Sequence, residues 1–308
     1  MNRSWYNLIW INNKARLGII IVSSFIIIAA VGPIFFEDPN AYIGTPLLEP
    51  SFVHLFGTTG QGQDVFAQTI AGARSTLFIG LGTGFMIVLL GLIVGSLSGY
   101  FGRRIDNVLS MIINILLLIP GLPLMVIIAA WLPPGPFSMM GVLVFKGWAW
   151  QARVLRSQVL SLRERDYVNA AIITGESNIK VIIYHIWPQM LSLIMASFIR
   201  ATVYAIGAQV GLEFLGLGDA DKVTWGNNLY WATNDLALLT GSWWTFVPTG
   251  LCIALVSFGL TLINYGIDEI SNPRLLSERI VKSRLPETLN KWSWITSASM
   301  RRTLARVK

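Results

Sequence analysis

Long apolar runs separated by short charged segments dominate the chain. Six of these runs suit membrane-spanning helices, at roughly 17–36, 76–100, 107–131, 137–155, 190–215 and 244–267. A spanning helix needs about 20 predominantly apolar residues. Lipid offers no partner for open backbone groups, so the pattern predicts an all-α membrane protein with six helices. Pro120 and Pro123 interrupt the third run, where each removes a backbone donor and favours a kink. Lys146 interrupts the fourth. The second carries Gly80, Gly84, Gly91, Gly95 and Gly99, a stripe of small residues on which another helix packs closely, either within the chain or between subunits.

Flanking charge gives the direction. The segments 1–16, 101–106, 156–189 and 268–308 hold Arg3, Lys14, Arg16, Arg103, Arg104, Arg156, Arg163, Arg165, Lys180 and nine cations from Arg274 onward. The segments 37–75, 132–136 and 216–243 hold only Arg74 and Lys222, against Glu37, Asp38, Glu49, Asp64, Asp219, Asp221 and Asp235. The excess of Lys and Arg marks the cytoplasmic side, so both termini are expected there. Trp131, Trp243 and Trp244 fall at outer ends of runs, and Trp148, Trp150 and Trp187 near inner ends, as an interfacial belt requires. Trp5, Leu8, Ile9 and Trp10 suit a short interfacial helix before the first span.

Composition narrows the class. The chain is 54% hydrophobic and only 13% charged, where soluble domains carry roughly 25% charge. The net charge of +7 sits at membrane faces rather than in one patch, which argues against nucleic acid and for a lipid bilayer as partner. Cys252 is the single cysteine and lies in an apolar run, so it forms no intrachain disulfide. His54 and His185 lack a second ligand at metal spacing, so no metal site is expected. No HExxH, GxSxG or embedded carboxylate pair suggests an intramembrane enzyme, and no catalytic residue is assigned. A phosphate-cradling Gly-x-x-x-x-Gly-Lys-Ser/Thr loop is absent as well.

The segment from Leu162 to Pro188 is the informative one. Its first part has helical spacing, with Tyr167, Ala170 and Ala171 on or near one face. Gly175 suits a left-handed helix end, Ser177 suits an N-cap for a second short helix, and Pro188 marks entry to the fifth span. The prediction is a stiff helix–turn–helix at the cytoplasmic surface, able to transmit a push.

This segment resembles the EAA loop of ATP-binding cassette importer permeases, which reads Glu-Ala-Ala, three residues, Gly, then Ile-x-Leu-Pro. Here Asn169-Ala170-Ala171 is followed by Gly175 and by His185-Ile-Trp-Pro188, with Asn169, His185 and Trp187 departing from the pattern. Further stretches resemble the dipeptide/oligopeptide C-type subunits: His54 to Asp64, departing at Phe56, Thr59 and Gln63; Gly72 to Leu77, with Thr76 for serine; Gly99 to Asp106; Phe214 to Gly218 with Trp225-Gly226; and Asn272-Pro-Arg274. Gln209 stands where that family often has Glu, and Glu213 where it has Ser.

The resemblance, covering roughly residues 14 to 274, implies a six-helix type I importer subunit forming half of a translocation pore. Residues 1–16 would be a cytoplasmic segment, 17–36 the first helix, 37–75 an external loop, 76–268 the permease core and 269–308 a basic cytoplasmic tail, either solvated or lying on lipid. The partners implied are a second homologous permease, two cytoplasmic ABC ATPases and an external substrate-binding protein. ATP and Mg would be bound by the ATPases, leaving no cofactor in this chain. Asp166, Asn169, Ala170, Ala171, Gly175, Glu176, His185 and Pro188 would form the ATPase-coupling loop. The cargo implied is a peptide or a related solute such as an oligosaccharide, nickel or an opine.

Three residues are candidates for the pathway or gate. Arg200 lies within the fifth span, where a bare charge is costly; it either lines the route or pairs with an acid on a partner subunit. Gln209 and Glu213 lie near the outer end of that span, with a hydrated interface role open to Glu213. Lys146 either snorkels or faces the bundle. A stand-alone secondary transporter or channel is the competing reading, but it calls for intramembrane acids or paired broken helices, and no acid lies in the middle of a span.

Overall fold

The computed structural model describes residues 12–35 and 38–271. The interfacial helix expected at Trp5–Trp10, the Asn272-Pro-Arg274 motif and the basic tail beyond it lie outside these residues. Among them the chain is helical, with two isolated β-bridges, Tyr42–Gln63 and Thr58–Asp64. The helices are α1 Asn13–Val31, α2 Val65–Phe101, α3 Arg103–Leu118, α4 Gly121–Trp131, α5 Pro136–Arg163, α6 Asp166–Ile173, α7 Asn178–Lys180, α8 Leu191–Leu212, α9 Trp225–Asn234, α10 Ala237–Thr240 and α11 Val247–Ser271.

Four helical runs are long and apolar enough to cross a membrane: Asn13–Val31, Val65–Phe101, Asn178–Leu217 and Trp243–Glu269. The third expected span is two helices, α3 and α4, bent by 90° at Ile119–Pro120, and the pair counts as a fifth crossing if taken together. The bend follows from Pro120, which cannot donate to the α3 ladder and disfavours helical geometry at Ile119. α5 is long enough, but Lys146, Arg153, Arg156 and Arg163 make it too polar to be counted by composition. The expected six therefore reduce to four or five on length and apolarity alone.

α2 is the central element. It begins at Val65, well before residue 76, because the Asp64 carboxylate accepts from the N–H groups of Phe66 at 2.7 Å and Ala67 at 3.0 Å. At 37 residues it is about 55 Å long, more than the hydrocarbon core alone requires. Its glycine stripe is an intrachain seam. A Cβ on Gly95 would lie 2.8 Å from the Ala152 carbonyl oxygen and 3.0 Å from the Arg156 nitrogen, so α5 backbone packs directly on α2 backbone. Further along, Gly84 meets Thr202 of α8. The first and last described spans, α1 and α11, pack together, and Asn12 at the start of α1 donates to the Glu269 carboxylate near the end of α11 at 2.7 Å.

The charges on α5 are tolerated because α3 answers each one that faces it. Lys146 Nζ donates to the carbonyls of Leu116 and Ile119, the latter at 2.9 Å. Those carbonyls are freed by the break at Pro120. Arg153 donates to Asn114 Oδ1 at 2.6 Å. Arg156 forms a two-pronged pair with Asp106 at 2.6 Å per prong, and Ser98 and Ser110 also donate to that carboxylate. Lys146 is thus a cap on a broken helix rather than a snorkelling side chain.

Candidate functional site: the Leu162–Pro188 loop and the face of α8

The loop grows directly out of α5. Arg165 starts α6, and Thr174 ends it by donating to the carbonyls of Ala170 and Ala171 at 3.1 and 2.9 Å. Gly175 then turns with φ +85°, its N–H on Ile172 O and the Glu176 N–H on Ala171 O, both at 3.1 Å. This paired return is a Schellman motif, and it needs a left-handed residue where the sequence supplies glycine. Open space surrounds the Gly175 Cα, so backbone conformation alone selects the glycine. Ser177 precedes α7 but makes no side-chain cap bond, contrary to expectation. The α7 run is instead stabilised as a continuous helical segment, passing through a π-helical stretch Val181–Ile186 and a 3-10 turn Trp187–Met190 into α8.

The faces of α6 also differ from the expected grouping. Val168 and Ala171 turn inward, into a core of Leu155, Val159, Leu162, Val181, Ile186 and Met190. Asp166, Tyr167, Asn169 and Ala170 turn outward. The separation follows from the 3.6-residue period, which puts residues 168 and 171 together and 167 and 170 beside them. The outward surface is apolar at its tip: Ile173 is 85% exposed, Tyr184 70% and Ile179 67%.

Four contacts brace the loop, two of them hydrogen bonds to α2. Tyr100 Oη donates to Asn178 Oδ1 at 3.0 Å, and the Arg163 guanidinium lies over the Tyr100 ring at 5.8 Å. Trp187 Nε1 donates to Ser96 Oγ at 2.9 Å. Glu176 and His185 pair at 3.0 Å, closing the two limbs of the turn on each other. Pro188 sits exposed in the 3-10 turn at the entry to α8. Sequence reasoning missed Tyr100, Asn178 and Ser96; the Gly-Tyr-x-Gly stretch ending at Asp106 was the available signal for the first.

The three pathway candidates separate. Gln209 and Glu213 are buried within the chain. Gln209 Nε2 donates to Glu213 Oε1 at 3.0 Å, and Thr224 Oγ1 donates to Glu213 Oε2 at 2.8 Å. This cluster pins the outer end of α8, which unwinds through Gly216 at φ +80°, to the start of α9. Gly226 is required there because a Cβ would strike the Glu213 carboxylate. The neighbouring Trp225 is fully buried, with its backbone N–H on Thr76 Oγ1 and its ring N–H on Thr69 O. On the same outer side Asp235 accepts from the Gly60 N–H, and burial pushes its carboxyl above the ordinary range. Arg200 is different: it is exposed and forms no hydrogen bond or ion pair among the described residues.

Residues 87–277 match the sequence profile of the binding-protein-dependent transport system inner membrane component. The chain belongs to that family. Its fold is therefore that of a type I ABC importer membrane subunit. Among curated relatives, the oligopeptide transport system permease protein OppC of Bacillus subtilis is 33% identical over 270 residues, covering 86% of this chain and 87% of the relative. The dipeptide transport system permease protein DppC of the same organism is 31% identical over 270 residues, covering 86% and 83%. OppC of Lactococcus lactis strain IL1403 is 25% identical over 267 residues, covering 84% and 90%.

Proposed function

We propose that this chain is one of two homologous permease subunits in an ATP-driven importer of peptides or of a related solute such as an oligosaccharide. It sits in the prokaryotic plasma membrane with both termini cytoplasmic. An external binding protein delivers the substrate. Two cytoplasmic ATPases bind ATP and Mg, and this chain holds no cofactor of its own. The observation that carries the reading is the loop: a rigid, core-anchored element with an uncovered apolar tip at Ile173, Ile179 and Tyr184.

The mechanism is alternating access. When ATP draws the ATPases together, α6 moves with its ATPase. Tyr100, Trp187 and the Val168–Ala171 face pass that motion to α2, α5 and α8 rather than letting the loop flex. Hydrolysis resets the arrangement. Specificity resides largely in the binding protein. Ile173→Glu puts a charge on the exposed tip without touching the core. Co-purification of the ATPases with the permease pair should fall, while membrane insertion persists. ATP-driven uptake at wild-type rates in that variant would contradict the docking role, and uptake without any ATPase would favour a stand-alone transporter.

A further inference from the structure

Arg200 has no counterion among the described residues and lies in an apolar helix. It lies roughly two and a half turns into α8, on the face that continues through Tyr204, Gly207 and Gly211. The opposite face, with Thr202, Ala205, Ile206 and Gln209, is buried. Nothing lies within contact distance of the open side of Gly207 or Gly211. Beside Arg200, between α8 and α5, is a cavity of about 310 Å³ walled by Trp150, Gln151, Tyr204 and Lys146. No acid lines it. Lys146 is already committed to the carbonyls of Leu116 and Ile119, which leaves the Arg200 guanidinium as the free group.

A guanidinium at this depth is costly unless an anion or water meets it. Its planar fork matches a carboxylate in a two-pronged geometry. The hollow lies between helices of this one chain. From Arg200 to Gly211 the open strip runs about 16 Å at ~1.5 Å per residue. An extended tetrapeptide is about 13 Å long. We propose that this cavity is a transient subsite in the pathway, where Arg200 receives the free carboxylate end of the passing substrate while the rest lies along the open face toward Gly211. This rests on the importer reading above and adds to it a polarity requirement that this chain itself imposes.

The test uses the complete transporter with its binding protein in sealed vesicles, and ATP-driven uptake of tetra-alanine against its C-terminal amide. Wild type, Arg200→Gln and Arg200→Lys are compared at binding-protein saturation, so that the preference of the binding protein is common to all three. The expected result is an acid-to-amide uptake ratio that falls roughly tenfold in Arg200→Gln, the factor equivalent to about 1.4 kcal/mol, with Arg200→Lys in between. An acid-to-amide ratio equal in wild type and Arg200→Gln overturns the proposal. Loss of the second permease subunit from the Arg200→Gln complex on purification also overturns it, by showing that the guanidinium pairs with an acid across the subunit interface. Uptake of neither peptide by the wild-type complex would strike at the peptide reading itself, an outcome separate from an unchanged ratio.

Discussion

Two helices in this protein carry cations in apolar surroundings, and they handle them in opposite ways. α5 holds Lys146, Arg153 and Arg156, and α3 supplies a partner to each: freed carbonyls, an amide and a carboxylate. α8 holds Arg200, which meets no partner among the described residues and borders a cavity. The first arrangement spends its charge on structure, fixing a broken helix and tying α5 to α3 and to the C-terminal end of α2. The second leaves a charge available. A cation inside a membrane helix is therefore not functional by position alone; what decides is whether the neighbouring backbone and side chains already answer it.

That contrast can be broken most forcefully at Arg156. Arg156→Ala leaves the Asp106 carboxylate half-buried with only serine hydroxyls, and stability should fall by roughly 2–3 kcal/mol, below the full cost of severing a deeply buried pair. Asp106→Ala should cost a similar amount, and the double variant clearly less than the sum, as a thermal-unfolding cycle on the purified complex would show. Lys146→Met keeps the side-chain length but strands two carbonyls, for a loss of about 2 kcal/mol. Gly175→Ala forces a side chain into left-handed backbone at about 1–2 kcal/mol. That strain is local to the loop, so the ATP consumed per substrate moved should rise while assembly persists. Arg200→Gln should change stability by less than about 0.5 kcal/mol, since no contact is lost. An Arg200→Gln complex that unfolds as readily as Arg156→Ala would erase the distinction.

The sequence carried the outline well where one residue type speaks for itself. Gly175 announced its own turn, the glycine stripe of α2 its own seam, and Pro120 its break. The Asn169-Ala-Ala…Gly175 spacing located the loop before any coordinates. Elsewhere the deciding partner was invisible. Lys146 is answered by backbone carbonyls that exist as acceptors only because α3 ends at Pro120, so no residue identity records them. Arg156 and Asp106 are far apart in sequence and meet only when α5 packs against α3. The inward and outward faces of α6 were misgrouped because Tyr167, Ala170 and Ala171 are all small or amphipathic. It is Val168, paired with Ala171, that finds the core. Gln209 and Glu213 stand out in the sequence by their position near the end of the fifth span, but their hydrogen bond to each other and the one Glu213 receives from Thr224 depend on the fold.

On the proposal above, α5 uses its charge for structure and α8 keeps its charge for substrate. The comparison to make is Arg156→Ala, which lies outside the cavity, beside Arg200→Gln in the same complex, recording the unfolding midpoint and the acid-to-amide uptake ratio for each. The expected result is a lowered midpoint with a wild-type ratio for Arg156→Ala, and a wild-type midpoint with a collapsed ratio for Arg200→Gln. The reverse pattern, or a midpoint loss in Arg200→Gln with the ratio intact, would contradict it.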